Sequence, residues 1–216
     1  MKYITFYFDP ISPYAYLAFE KLPEALMGRS YSVTYKPILF AALLKHHGQM
    51  GPAEIAPKRD WTYRQVLWQA HSLGVPMELP ASHPFNPLHL LRLAVACSPE
   101  SAPGQPSRHV CETAFRHVWR GGAEGADEQR LQALVQQLAP PQDMQGAEVK
   151  AQLQKNTEDA IAQGVFGVPA FAVDDKLFWG LDSLPMLRDY LLEAPWFDGP
   201  DWDQAGQVAS GIVRRR

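Results

Sequence analysis

The sequence predicts an α/β fold: one mixed sheet built from both ends of the chain, with a large block of helices inserted between them. Three observations predict it. Strand-like runs fall only near the ends, at residues 2–8, 31–37, 170–175 and 176–180. Helix-like segments lie between the first two runs and after the last two, giving β-α-β at one end and β-β-α at the other. Everything between reads as helix and short loop. Each end is too small to hold a core alone, so the two must share one sheet. The expected division is 1–37 plus 164–216 for the sheet domain and 38–163 for the helical insertion.

Residues 2–8, KYITFYF, alternate and are rich in Tyr, Ile, Thr and Phe, as a buried strand does. The run stops at Asp9-Pro10. Ser12 then stands as an N-cap, with Pro13 at the first helical position, where its missing N–H costs nothing. This helix is expected to reach about Met27, with Gly28 beyond it and a kink at Pro23. YSVTYKP, residues 31–37, is the second strand. Asp60 is placed to cap a helix ending at Gly74, and Asn86-Pro87 to open one running to about Cys97. Ser107 and Asp127 can cap two more, with the loop SPESAPGQPS between the helices at 98–107. A helix from Ala147 to Gln163 is closed by Gly164. AFAVDD and KLFWG are two short strands joined by a turn, and a last helix runs from Ser183 to about Glu193. In the tail, Trp196 and Trp202 are the expected packing points.

Composition narrows the function classes. The 216 residues are 46% hydrophobic and 20% charged, which fits a soluble globular protein with a real core. A net charge of −3 gives no general attraction to nucleic acid. The only tight basic cluster, Arg214-Arg215-Arg216, reads as a solvated tail. No stretch is apolar enough to span a membrane, and MKYITFYFD does not make a signal peptide. Cys97 and Cys111 form no CxxC and fall in helix-like segments, so buried free thiols in a cytoplasmic protein are expected. The seven histidines include no HExxH, so no metal is expected. Trp61, Trp68 and Trp119 are expected to build the helical core, and can also wall an aromatic pocket.

One residue raises a chemical question. Ser12 stands at the mouth of a helix beside the end of a strand. Free N–H groups and a partial positive charge at such a place favour an anion. From the serine alone, the capping role is the stronger reading and anion binding stays open beside it.

Further residues carry a resemblance. FYFDPISPYAYLAFEKLP, KRDWTYRQVLWQAHSLGVP, HPFNPLHLLRLA and GVFGVPAFAVDDKLFWGLDSLPML together resemble 2-hydroxychromene-2-carboxylate isomerases, from about residue 3 to 192. These group with kappa-class glutathione transferases in the thioredoxin-like superfamily. The resemblance implies a thioredoxin-like β-α-β…β-β-α sheet domain with a large all-helical insertion. It implies glutathione as cofactor, a small aromatic substrate and no disulfide exchange, since ISPY replaces the CxxC of the oxidoreductase relatives. A homodimer is left open.

The resemblance also assigns residues. Ser12 is implied to face the glutathione sulfur and favour its thiolate. A free thiol has a pKa of about 8.5, and lowering it by roughly two units takes about 2.7 kcal/mol. One hydrogen bond to the charged sulfur and a helix end can supply that. Val168-Pro169 is implied to be cis and to face Ser12, with the Val168 backbone pairing with the cysteinyl part of glutathione. Within Trp179-Gly180-Leu181-Asp182-Ser183, Asp182 is implied to hold the γ-glutamyl ammonium, and Ser183 with helix N–H groups its carboxylate. The family often has Asp-Arg where this chain has Asp182-Ser183. Lys58 can meet a carboxylate, and His83 and Asn86 border the expected substrate cleft. The implied reaction is the interconversion of a 2-hydroxychromene-2-carboxylate with trans-o-hydroxybenzylidenepyruvate, as in aromatic-compound breakdown. A kappa-like transferase and a non-catalytic glutathione- or peptide-binding module are the alternatives.

Overall fold

The computed structural model describes residues 1–209 and 211; the Arg214-Arg215-Arg216 cluster lies outside the described residues. β1 (Lys2–Phe8), α1 (Pro13–Ala25) and β2 (Tyr31–Pro37) form the first unit. Helices α2 (Phe40–His47), α3 (Ala56–Leu73), α4 (Leu88–Ala96), α5 (Arg108–Trp119), α6 (Glu128–Leu138) and α7 (Ala147–Ala162) come next. β3 (Ala170–Val173), β4 (Lys176–Trp179), α8 (Leu184–Leu191) and α9 (Pro200–Ala205) complete the described strands and α-helices. The sheet order is β2-β1-β3-β4. β1 pairs parallel with β2 and antiparallel with β3, and β3 pairs antiparallel with β4.

β1 is buried on both faces, so its alternating side chains serve two cores. Ile4, Phe6 and Phe8 pack with Phe19 and Leu22 of α1, Phe115 of α5 and Leu187 of α8. Tyr7 faces the other way, packing with Leu43 of α2, Ala160 of α7 and Val165. Phe6 stacks on its cross-strand neighbour Phe171, with ring centroids 4.8 Å apart. The first cluster continues without a break into Leu90 of α4, Val118 and Trp119. The helical insertion and the sheet therefore share one core.

Three of the predicted helix starts have the expected chemistry. The side chains of Ser12, Ser107 and Asp127 each accept a hydrogen bond from the backbone N–H three residues on. Pro23 falls in the last turn of α1, which ends at Ala25 rather than Met27. Asp60 is not a cap: α3 begins earlier, at Ala56, with Pro57 in its first turn. Proline suits that position as well as an acidic cap would. Asn86 does act at a helix start, its side-chain oxygen accepting from Leu88 N–H at 3.0 Å.

The tryptophans divide. Trp119 is fully buried, but Trp61 and Trp68 are 62% and 66% exposed, so they do not build the helical core. They stand seven residues apart on α3, on the side that faces away from Val66 and Ala70. In the tail, Trp202 packs on Phe178 at 5.7 Å and Trp196 meets Phe197 edge-on at 5.1 Å. Among the described residues, no helix is long and apolar enough to cross a membrane.

Candidate active site

The carboxyl end of β1, the start of α1, the Val168-Pro169 turn and the face of α3 surround one cleft of about 940 Å³. Ser12 lies at its floor and is only 7% exposed. Its hydroxyl makes two contacts, accepting from Ala15 N–H at 3.2 Å and donating to the Val168 carbonyl at 3.3 Å. The first is the helix cap. The second is long and joins the helix mouth to the opposite turn. The Val168–Pro169 peptide is cis. Ser12 is thus a cap whose single proton points across the cleft.

The segment at the end of β4 locks this turn. Gly180 N–H donates to the Pro169 carbonyl at 3.0 Å. Gly180 has φ +97°, and a Cβ there would collide with the Asp182 carboxylate. Gly167 lies under the Trp179 indole, where a Cβ would come within 2.6 Å of Nε1. Trp179 in turn packs on Phe166 at 4.8 Å. Two glycines thus let an indole and a carboxylate close over the turn.

Ser12, Lys58, His83, Val168, Pro169, Trp179, Gly180, Leu181 and Asp182 all line the cleft. Lys58 and Asp182 are exposed at its walls. Ser183 and Asn86 are the two exceptions. The Ser183 N–H and hydroxyl both donate to the Gly180 carbonyl, at 3.3 and 2.8 Å. Ser183 is buried in a 3-10 turn ahead of α8, so its donors are turned inward and do not await a carboxylate. Asn86 is exposed, holds its own helix start and does not line the cleft.

Other wall residues carried little sequence signal. Asp9 is fully buried beneath Ser12, accepting from Ile11 N–H with one carboxylate oxygen and from Phe40 N–H with the other, both at 3.1 Å. Burial pushes its carboxyl up to about 7, although both N–H donors oppose the shift. In sequence, an Asp before Pro10 reads only as a turn residue. The Tyr14 hydroxyl donates to Gln65 Oε1 at 2.6 Å. Gln69, one turn further along α3, also lines the cleft, and its buried Oε1 has no hydrogen-bond partner among the described residues. Trp61, Gln65 and Gln69 share one helix face by their i, i+4 spacing, which is the signal that could have found them.

His83 is held from both sides. Its Nε2 lies 2.8 Å from the Ile11 carbonyl, which can only accept, so Nε2 carries the proton. Its Nδ1 lies 2.8 Å from the Tyr63 hydroxyl. The Tyr63 hydroxyl is also 2.9 Å from the His83 carbonyl. The ring packs on Trp119 at 5.4 Å and on Phe85 at 6.1 Å, and burial lowers the His83 pKa.

Neither thiol belongs to this site. Cys111 is buried in α5 and Cys97 is partly buried at the end of α4. Burial pushes the Cys97 thiol up to about 11 and the Cys111 thiol well above its usual value. Neither can supply a thiolate near neutral pH.

An α/β scaffold with helices on both faces of the sheet and a helix mouth facing a proline turn is a thioredoxin-type architecture. The chain belongs to the DsbA-like thioredoxin domain family, which matches residues 3–192. It is 30% identical over 200 residues to a 2-hydroxychromene-2-carboxylate isomerase from Sphingobium xenophagum, covering 89% of this chain and 99% of that one. It is 26% identical over 217 residues to glutathione S-transferase kappa 2 from Caenorhabditis elegans, covering 92% and 95%. A solved 2-hydroxychromene-2-carboxylate isomerase structure superposes with a TM-score of 0.75 at 22% identity, covering 96% of this chain and all of the other. At that identity the superposition speaks to the fold. The chain is thus related to both isomerases and kappa-class transferases.

Proposed function

We propose that the protein is a glutathione-dependent isomerase acting on an aromatic hydroxychromene-carboxylate or its ring-opened benzylidenepyruvate form. The single observation that carries this is the Ser12 hydroxyl at the mouth of α1, 3.3 Å from the Val168 carbonyl, where a redox relative would hold a cysteine.

The residues present fit glutathione. The cleft carries an anion-favouring helix mouth at Ser12 and a carboxylate at Asp182. Its wall also holds one buried acceptor, Gln69 Oε1, without a partner among the described residues. Ser12 would face the sulfur, Val168 would pair through its backbone, and Asp182 would meet the γ-glutamyl ammonium. Lys58 is the cation at the rim able to meet a carboxylate. When bound, glutathione supplies a thiolate nucleophile that turns a conjugated double bond into a rotatable single one and is then released.

The chain's own part is to favour that thiolate and to hold the substrate in line. The Ser12 proton now shared with the Val168 carbonyl can turn to a charged acceptor, which makes a stronger hydrogen bond. The start of α1 adds the partial charge of its N–H groups. Phe40, Trp61, Phe85 and Phe166 give the cleft aromatic surface for a flat substrate. Disulfide exchange is excluded chemically, because no thiol of the chain reaches this cleft.

The test is turnover of trans-o-hydroxybenzylidenepyruvate monitored by its absorbance, with and without glutathione. Isomerisation that requires glutathione and leaves the free thiol undiminished supports the reading. A kappa-like transferase is the second reading, supported by the 26% identity to the nematode enzyme. Stoichiometric loss of free thiol would favour it. Binding without turnover would favour a glutathione-binding module.

A further inference from the structure

We propose that Tyr63 is a second catalytic residue of this cleft and His83 its proton-holding partner, the two together moving a proton to and from a hydroxyl of the substrate. The inference rests on the isomerase reading above.

The geometry carries it. The Ile11 carbonyl fixes the imidazole with its proton on Nε2, which leaves the Nδ1 lone pair facing the Tyr63 hydroxyl at 2.8 Å. Ile11 immediately precedes Ser12, so the pair is anchored to the same turn that places the serine. Both Tyr63 and His83 line the cleft. A hydroxyl whose proton points at an imidazole has its own lone pairs free to accept a proton from elsewhere. When Nδ1 becomes protonated, Tyr63 can turn its proton to the His83 carbonyl, 2.9 Å away, and accept from the imidazolium instead. Both protonation states of the histidine therefore have a complete set of partners.

The surroundings favour the base form at rest. Trp119 and Phe85 flank the ring, and burial holds the imidazole neutral. The charges acting on Tyr63 are Arg59 and Asp60 of its own helix. Asp9, Lys58 and Asp182 stand elsewhere on the cleft wall. A tyrosine alone is a poor base, since its pKa is about 10. Passing its proton to a neutral imidazole removes that limitation.

A cyclic aryl hemiketal needs this chemistry. Its hydroxyl proton moves to the Tyr63 oxygen while the Tyr63 proton moves to His83 Nδ1. The C–O bond of the ring breaks, its electron pair leaves on the phenolic oxygen, and the former hydroxyl becomes a ketone. The phenolate then takes a proton from Tyr63, which recovers one from Nδ1. No net proton is gained or lost by the protein, and the same path run backwards closes the ring.

Measurements on the full chain test this. Nitrogen-15 NMR of the histidine side chains near neutral pH should show His83 as the neutral Nε2–H tautomer. An Nδ1–H tautomer or an imidazolium there overturns the proposal whatever the substrate. The second measurement is kcat for trans-o-hydroxybenzylidenepyruvate with glutathione in Tyr63→Phe, His83→Gln and the double variant. Each single variant should lose about a hundredfold, within the range for general acid–base catalysis. The double variant should be no worse than either single one, because the two act as a unit. The acid limb of the wild-type pH profile should track the His83 pKa read by NMR and vanish in His83→Gln. Glutathione affinity of Tyr63→Phe, by calorimetry, should be unchanged. If His83→Gln fails to fold, Tyr63→Phe alone decides. A Tyr63→Phe variant with wild-type kcat overturns this inference and leaves the isomerase reading intact. A wild type inert toward this compound overturns both.

Discussion

The two walls of the cleft are made of different material. On the sheet side, the working groups are backbone or lie beside special backbone: the Val168 carbonyl, the Pro169 turn, Gly180, and the first turn of α1. On the helical side they are side chains: Tyr63, Gln65 and Gln69 of α3, with His83 from the loop beyond it. The sheet wall is rigid because hydrogen-bonded strands run into it, and it offers groups that any peptide-like ligand can use. The helical wall is defined by side-chain identity, so it can change with substrate while the fold stays the same. Under the proposed function, thiol binding would fall to the first wall and substrate selection to the second.

The largest expected effect comes from breaking the core that lies behind both walls. Phe6 is fully buried and stacks on Phe171. Phe6→Ala should cost about 3–5 kcal/mol of stability and weaken both functions together. Denaturant unfolding measures the first and calorimetry with glutathione the second. A well-folded variant with one wall intact and the other lost would show that the walls are independent.

Asp9 joins the walls by a different means, since its carboxylate bridges the turn before α1 to the start of α2. Its folded pKa of about 7 lies above the usual carboxylate value, so the folded state holds this proton more tightly than the unfolded chain does. The stability it contributes is full below about pH 4 and is lost as pH rises through about 7. Asp9→Asn cannot titrate. The stability advantage of wild type over Asp9→Asn should therefore shrink by on the order of 4 kcal/mol between those limits. Parallel pH curves for the two proteins would contradict a buried, titrating Asp9.

Smaller changes separate the sheet wall from the helical one. Gly180→Ala forces a side chain into a positive-φ position against Asp182, and should cost about 1–3 kcal/mol. Its effect on glutathione affinity should exceed its effect on the His83 tautomer, which belongs to the other wall. Asp182→Ala removes an exposed carboxylate, so a loss of about two- to fivefold in glutathione affinity is expected, with no change in melting temperature. Equal affinity in calorimetry would remove Asp182 from the binding site.

The same division explains how much of the molecule is legible in the sequence. Strands at both ends, the Ser12-Pro13 start, and the Ser107 and Asp127 caps are local signals read from adjacent residues. Of the sheet wall, such punctuation names Ser12 as a helix start; Val168, Pro169 and Gly180 are named in advance only through the family resemblance. The helical wall depends on which face of α3 meets the cleft. That face is set by long-range packing, as with Trp61 and Trp68, which look like core residues and prove exposed. Asp60 looks like a cap because acidic residues favour helix starts, but Pro57 opens the helix earlier. Asp9 escapes notice because a carboxylate after a strand reads as solvent-facing, while its burial depends on α2 arriving from elsewhere in the chain. The resemblance implies Ser183 as a hydrogen-bond donor to a carboxylate, and its sequence neighbours do not reveal that its hydroxyl turns back onto Gly180.

The central claim is that the Ser12 proton serves a thiolate and does more than cap α1. The most direct measurement is the pKa of glutathione bound to wild type and to Ser12→Ala, from thiolate absorbance in the ultraviolet across a pH series. Loss of the cap should cost about 0.5–2 kcal/mol, which leaves the variant folded. A hydrogen bond to a charged group is worth about 1.5–3 kcal/mol, so the bound pKa should rise by roughly one to two units toward the free value of about 8.5. Turnover near neutral pH should fall about ten- to a hundredfold and recover in part at higher pH. An unchanged bound-thiol pKa in a folded Ser12→Ala protein would contradict the claim and leave Ser12 as a helix cap alone.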